Sequence, residues 1–309
     1  MTTSDSTAHI IDGKAIAQET LAEVKARVPL LVEQGVEPCL AVLLVGEDPA
    51  SQVYVRNKLK RCEECGIRSL EYCMPSDTTE YELLRLIAEL NDDDQVNGIL
   101  VQLPLPDHLS GTRVIDAIAP HKDVDGFHRN NIGGLVQGRT DVLAPCTPSG
   151  CMKMLRRYID DFDGLHAVVI GSSNIVGKPM ATMLLAAGCT VSIAHSKTRD
   201  TAALARQGDI VVVAVGKAGL VKQSWIKPGA VVIDVGINQI EGGEGKRKLT
   251  GDVDFPAVSQ VARAITPVPG GVGPMTIACL LDNTLRAADI QNKNRSNVGD
   301  TNAHLHAGG

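Results

Sequence analysis

Short runs that are apolar at nearly every position, rather than at every second one, recur along this chain of 309 residues. Cys39 to Val45 (CLAVLLV) and Gly98 to Leu103 (GILVQL) are two of them, with Arg68 to Met74 a further strand candidate between. His166 to Ile170 (HAVVI), Thr190 to Ala194, Ile210 to Val215 and Ala230 to Val235 continue the series. A strand that is apolar on both faces must be covered on both, which is the condition of a parallel sheet with helices on either side. The stretches between the runs carry polar residues at helix-compatible spacing, so the order is a repeated β/α unit.

The rhythm breaks at residues 121 to 147, where HKDVDGFHRNNIGGLVQGR reads as loop and Pro145 and Pro148 follow. A chain of this length is about right for two cores. The pattern therefore predicts an α/β protein of two domains, each a mainly parallel sheet with flanking helices and a cleft between them. The first spans 9–145 and is completed by a returning helix at 275–289; the second, 146–274, is Rossmann-like. Residues 290–309 are polar and rich in His, Asn and Gly, and read as a disordered tail.

Composition excludes several classes of partner. A net charge of -6 and a pI near 5.8 leave no basic stripe for nucleic acid. No apolar run approaches the roughly 18 residues that span a bilayer, and the opening MTTSDSTAHIIDGK has neither the basic nor the apolar segment of a secretory signal, so a cytoplasmic location is expected. The eight cysteines sit mostly in apolar or helical stretches and read as buried thiols. Cys62 and Cys65 form a lone C-x-x-C without a partner pair at zinc spacing, so no metal is expected.

After HAVVI come Gly171, Ser172, Ser173, Asn174, Ile175, Val176 and Gly177, then the helix-like MATMLLAAG. A strand, a glycine turn and a helix N-terminus together suit a pyrophosphate, because unpaired N–H groups point outward and glycine permits close approach. The spacing is G-x5-G rather than G-x-G-x-x-G, and on spacing alone a structural turn is an equal reading. The next strand ends at Ser196, Lys197 and Arg199, where an NAD site would place an acid on the ribose hydroxyl. Donors and positive charge there suit a 2'-phosphate, which favours NADP.

In the first half, Tyr54 and Lys58 stand at i and i+4, on one face of a helix. From spacing alone this is most often a surface pair. A lysine can instead move protons where burial or a positive neighbour lowers its pKa, with a phenol beside it to relay or orient. Gln102 at the carboxyl end of a strand and Asp125 in the loop KDVDG strengthen that second reading, since sites of open α/β sheets form at this edge.

YVRNK, GILVQLPLP, HKDVDGFH, PCTPSG, GSSNIVGKPM, IDVGIN, GDVDF and TPVPGGVGPMT occur in this order, and with them the chain resembles the methylenetetrahydrofolate dehydrogenase/cyclohydrolase family from about Ile10 to Ala288. The resemblance implies NADP-dependent oxidation of 5,10-methylenetetrahydrofolate to the 5,10-methenyl form and hydrolysis of that to 10-formyltetrahydrofolate in one active site. It implies Lys58 as the catalytic lysine, Tyr54 packed beside it as a relay, and Gln102 tuning it. Val101, Gln102 and Leu103 would line the folate pocket and Asp125 would hold the pterin. Gly171, Ser172, Ser173, Ser196, Lys197 and Ile237 would contact NADP. Pro269, Gly270, Gly271, Val272 and Gly273 would close over the folate. A homodimer joined through the Rossmann domains is also implied. Many relatives carry Arg where this chain has Ser172, a weaker donor, so NADP selectivity would rest on Ser196, Lys197 and Arg199. A dehydrogenase without the hydrolase, or a dinucleotide-binding regulator without turnover, are the alternatives.

Overall fold

The computed structural model describes residues 8–241 and 247–306, with side chains placed to residue 295. The chain divides into two compact units, one formed by Met1–Gln18 with Pro145–Cys279, the other by Glu19–Ala144 with Leu280–Gly309.

In the second of these, β2 (Cys39–Val45) is the centre of a parallel three-stranded sheet in the order β3-β2-β4, with β3 at Arg68–Met74 and β4 at Gly98–Val101. Every residue of β2 is buried, as a strand apolar on both faces requires. Helix α2 (Pro49–Cys65) follows β2 and is defined at both ends: the Asp48 carboxylate accepts from Ser51 N, Pro49 opens the first turn, and Gly66 at φ 77° closes it in the left-handed region. Helix α3 (Glu80–Asp92) begins in a reciprocal capping box between Thr79 and Glu82 and buries Leu83, Ile87 and Leu90, one helical face, against this sheet. Helix α4 (Gly111–Ala117) completes that layer.

The segment from 121 to 147, loop-like in composition, contains helix α5 (Arg129–Val136) and opens into α6 (Cys146–Leu155). Two glycines disfavour a helix there, but His128 Nδ1 accepts from Asn130 N and Asn131 Nδ2 donates to Asp123 Oδ2, so side-chain hydrogen bonds supply what propensity lacks.

The other unit is a six-stranded parallel sheet in the order β1-β11-β8-β7-β5-β6. Its members are β1 (His9–Ile10), β5 (His166–Ile170), β6 (Thr190–Ala194), β7 (Ile210–Val213), β8 (Val231–Asp234) and β11 (Ala264–Ile265). Helices α7 (Gly177–Ala186), α8 (Thr201–Ala205) and α9 (Phe255–Val258) belong to the same unit, as does the antiparallel hairpin of β9 (Asn238–Glu241) and β10 (Arg247–Thr250). The chain runs from β5 outward to β6 and then back across to β7, so the order reverses between β5 and β7. That reversal is the switch point at which open α/β sheets bind ligands.

Residues 9–18, which the sequence pattern assigns to the first domain, group with this unit instead, and His9–Ile10 add β1 to its sheet by pairing in parallel with β11. Both strands are two residues long, too short for any periodicity to announce them. Helix α1 covers Gly13–Val32 and helix α10 covers Val272–His306. The tail expected to be disordered from residue 290 is thus helical as far as His306; residues 307–309 lie outside the described residues. Gln291 is buried and anchors that continuation, its Nε2 donating to Asn97 O at 2.8 Å and His121 O at 3.2 Å. No helix is long and apolar enough to cross a membrane among the described residues.

Candidate active site

Helix α2 places Lys58 against the carboxyl end of β4. Its Nζ donates to Gln102 Oε1 at 2.9 Å, and Gln102 Nε2 in turn donates to Leu103 O at 2.5 Å. Gln102 is itself fixed by its backbone N–H, which donates to Leu43 O at 2.8 Å. The amide therefore has one orientation, acceptor toward the ammonium and donor toward the backbone. Lys58 and Gln102 are half-buried, Val101 is buried, and Tyr54, one turn before Lys58 on the same helix, is 42% exposed.

Asp125 reaches the same edge by a different route. Ile99 N donates to Lys122 O at 2.7 Å and Ile99 bridges Asp123 in parallel, so residues 122–124 run alongside β4. Two residues further on, Asp125 is level with Val101 at the end of that strand, and half-buried. The loop is held from several sides. Lys122 is almost completely buried and gives Nζ hydrogen bonds to the carbonyls of Leu90, Asn91 and Asp93, the open end of α3, where a cation is favoured. Asp123 Oδ2 accepts from His128 N (2.7 Å) and Asn131 Nδ2 (2.9 Å). Asn283 Nδ2 donates to Val124 O and Ala144 O.

Burial pushes the Asp123 carboxyl up from its ordinary 3.8 to about 6, against the hydrogen bonds that favour the anion. The folded state thus holds this proton more tightly than the unfolded one. The stabilisation is complete below about pH 4 and is lost as the pH rises through 6. Asp123→Asn removes the titration, so the variant should gain on the wild type by at most about 3 kcal/mol between those limits. Urea unfolding of both proteins at pH 4 and pH 7 measures it, and a difference that does not change with pH contradicts the assignment.

In the other unit, Gly171 ends β5 at φ 128°, its N–H donating to Ala194 O at 2.9 Å. A Cβ here would meet Ala214 O at 2.2 Å, and one on Gly177 would meet Gly171 O at 2.1 Å. Gly171 lets the β5–α7 turn lie against the backbone just past β7 at the switch point, and Gly177 lets that turn fold closely on itself, which no other residue could do. Ser173 Oγ accepts from Val176 N (3.1 Å) and Gly177 N (3.3 Å) and so fixes the start of α7, while Ser172 is half-buried beside it.

Ser196, Lys197 and Arg199 are exposed past the end of β6, in a turn tied by Thr198 Oγ1 to His195 N. The nearest acid, Asp200, is engaged as the cap of α8, accepting from Ala203 N at 2.8 Å. Ile237 is exposed after β8 and its Cδ1 lies 3.9 Å from where a Cβ on Gly273 would stand. The structure therefore brings Ile237 to the Pro269–Gly273 turn, whose Gly270 O accepts from Lys14 N at 3.1 Å and whose Gly271 O leaves Gly13 no room for a side chain.

The sequence motifs missed the residues that hold these turns. Lys122 and Asp123 precede Asp125, and Asp234 and Asp252 stand in IDVGIN and GDVDF, but their partners lie up to 37 positions away. The one available signal is an acid or lysine inside an otherwise apolar or glycine-rich stretch.

Residues 11–125 match the catalytic domain of tetrahydrofolate dehydrogenase/cyclohydrolase, and residues 145–292 its NAD(P)-binding domain. The chain belongs to this family. It is 63% identical over 282 residues to the bifunctional protein FolD 2 of Ectopseudomonas mendocina, covering 91% of this chain and 92% of that protein. Among solved structures, the Campylobacter jejuni bifunctional FolD methylenetetrahydrofolate dehydrogenase/cyclohydrolase superposes with a TM-score of 0.88 at 51% identity, over 93% of this chain and 99% of its own. The Trypanosoma brucei enzyme of the family, solved with NADP and an inhibitor, gives 0.87 at 39% identity over 91% and 97%. This family member is an enzyme, with dehydrogenase and cyclohydrolase as its two activities and a dinucleotide-binding domain of Rossmann type.

Proposed function

We propose that the protein oxidises 5,10-methylenetetrahydrofolate to the 5,10-methenyl form with NADP and hydrolyses that product to 10-formyltetrahydrofolate, with Lys58 the residue on which hydrolysis depends. The observation that carries this reading is the hydrogen bond from Lys58 Nζ to Gln102 Oε1, inside the segment that matches the family's catalytic domain.

The two steps ask different things of the side chains. In the oxidation a hydride leaves a carbon flanked by two nitrogens, whose lone pairs stabilise the resulting cation, and NADP when bound supplies the hydride acceptor. Positioning is the protein's contribution there. In hydrolysis, water adds to the cationic carbon and loses a proton, one nitrogen gains a proton, and the bond from carbon to that nitrogen breaks. In this reading Lys58 holds and moves those protons. Gln102 keeps the ammonium aimed, and Tyr54 one turn away is a relay. Asp125 suits the 2-amino edge of a pterin, whose N–H donors two carboxylate oxygens can accept as a fork. Val101 and Leu103 are the walls of that pocket, and Pro269 to Gly273 are further folate contacts that the reading assigns.

The residues at the carboxyl end of the six-stranded sheet fit a dinucleotide. Gly171 and Gly177 leave room at the switch point, and Gly171, Ser172, Ser173 and Ile237 are the contacts the reading assigns. NADP rather than NAD is supported by the exposed Ser196, Lys197 and Arg199 together with the engagement of Asp200 as a helix cap. The same reading carries a homodimer joined through this unit.

Absorbance of the methenyl product, followed on purified protein with methylenetetrahydrofolate and either NADP or NAD, tests the assignment. We expect turnover with both and a higher kcat/KM with NADP by about tenfold, one charge-assisted contact's worth. Equal efficiency with the two cofactors overturns the role of the 196–199 turn. Dinucleotide binding without methenyl formation overturns the assignment of this substrate.

A further inference from the structure

Two buried carboxylates in the dinucleotide-binding unit have no part in the chemistry above. Asp234 closes β8, and Asp252 follows β10 with no solvent exposure at all. Asp252 Oδ2 accepts from Val215 N at 2.7 Å and Gly216 N at 2.9 Å; Oδ1 accepts from Lys217 N at 2.8 Å and Asn238 Nδ2 at 2.9 Å. Three consecutive backbone N–H groups converging on one anion form a nest, and Gly216 at φ 65° supplies the left-handed step it needs. Such a concavity often receives a phosphate; here the chain's own carboxylate fills it.

Asp234 holds Asp252 in place. Its Oδ1 accepts from Asp252 N (2.9 Å) and Gly236 N (3.0 Å), and its Oδ2 from Val253 N (2.9 Å). The packing admits no substituent: a Cβ on Gly236 would stand 2.2 Å from the Asp252 carboxyl carbon, and one on Gly251 would stand 1.8 Å from Asp234 Oδ2. What the pair ties together is the turn after β7 and the turn after β8, two segments of backbone with no hydrogen bond to each other among those the structure describes. In a doubly wound sheet the half on the β5–β6 side of the switch point takes the adenosine and the half on the β7–β8 side takes the nicotinamide.

Resting on the assignment of a dinucleotide to this sheet, we propose that Asp252 is a positioning residue for the nicotinamide half of the cofactor. Its carboxylate fixes Val215–Lys217 and Asn238, and through Asn238 the adjoining Ile237, so hydride transfer depends on it and methenyl hydrolysis does not. An amide in its place has one acceptor oxygen for four donors and adds N–H groups of its own, so the nest opens and the two turns separate. Displacements of an ångström at such sites cost on the order of a hundredfold in rate.

The test is kinetic. Asp252→Asn should lower dehydrogenase kcat/KM for NADP by about 10- to 100-fold, chiefly through kcat, with methenyl hydrolysis retained within about twofold. Asn238→Ala removes one half-buried donor and should give a loss of about threefold with the same selectivity, which keeps the test available if the first variant does not fold. Parallel loss of both activities, tracking the folded fraction, marks the carboxylate as structural only and overturns the proposal, as do unchanged kinetics in both variants. Fluorescence titration with NADPH separates the two levels of inference. A wild type that binds NADPH but does not form the methenyl product sinks the functional reading, whereas an Asp252→Asn variant that binds NADPH and keeps the wild-type kcat for oxidation sinks the role of Asp252.

Discussion

Lys58→Met should reduce methenyl hydrolysis by about two to four orders of magnitude, the range that a positioned proton-transfer group contributes, while NADP affinity stays within about twofold of wild type. Methionine keeps the length and the apolar stem of lysine on α2 but cannot donate to Gln102 Oε1 or carry a proton. The structural penalty is small, because the site is half-buried and water can replace the lost donor, about 1 kcal/mol at most. Hydrolysis is read as the decay of methenyl absorbance, dinucleotide affinity as NADPH fluorescence. Oxidation should suffer far less, since the hydride leaves a carbon whose flanking nitrogens already stabilise the cation. A variant that hydrolyses at the wild-type rate removes Lys58 from the mechanism, and Gln102 and Tyr54 with it, since both act through that ammonium.

The same region shows how far a sequence carries such an argument. Strand β2 was legible because all seven residues are apolar, and a strand with two buried faces has few alternatives. Helix α3 was legible through periodicity, its buried Leu83, Ile87 and Leu90 falling at helical spacing behind a Thr79–Glu82 box. Strand β1 was not, because two residues carry no period and the partner strand lies 255 positions further on. Helix α5 was hidden by Gly133 and Gly134, its support coming from side chains of His128 and Asn131 rather than from propensity. At the site, residues with chemistry to offer were legible as types in a pattern: Lys58, Gln102, Asp125. Those that hold the pattern in place were not. Lys122 looks like a surface lysine until its three carbonyl partners are seen, and Asp252 like a loop acid until four donors converge on it. Acceptors and donors can be counted from sequence, but whether they meet is decided by tertiary packing.

Gly171→Ala should be the most damaging single methyl group in the dinucleotide-binding unit. Two separate costs fall on it. At φ 128° the backbone is in a region that an L-residue enters only at a cost of about 1–3 kcal/mol. The added Cβ would also stand 2.2 Å from Ala214 O, a backbone carbonyl just past the end of β7 in a residue whose N–H donates to Ile170 O at 2.8 Å. Relief requires the β5–α7 turn to lift from β7, which opens the switch point and moves the start of α7, with Ser172 and Ser173, away from any pyrophosphate. Gly164→Ala is the control: it has φ 75° in the same unit, but nothing lies within 4 Å of its missing Cβ. That substitution pays only the backbone term, about 1–2 kcal/mol. We expect Gly171→Ala to lower the thermal midpoint by roughly 10 °C and NADPH affinity by two orders of magnitude or more, and Gly164→Ala to shift the midpoint by only about 3 °C with affinity unchanged. Differential scanning calorimetry and NADPH fluorescence read both quantities on the same samples. Should the two variants prove equally stable and bind alike, the close approach of β5 and β7 would not be what the glycine is for, and the switch point would have to tolerate a side chain that the backbone geometry leaves no space to hold.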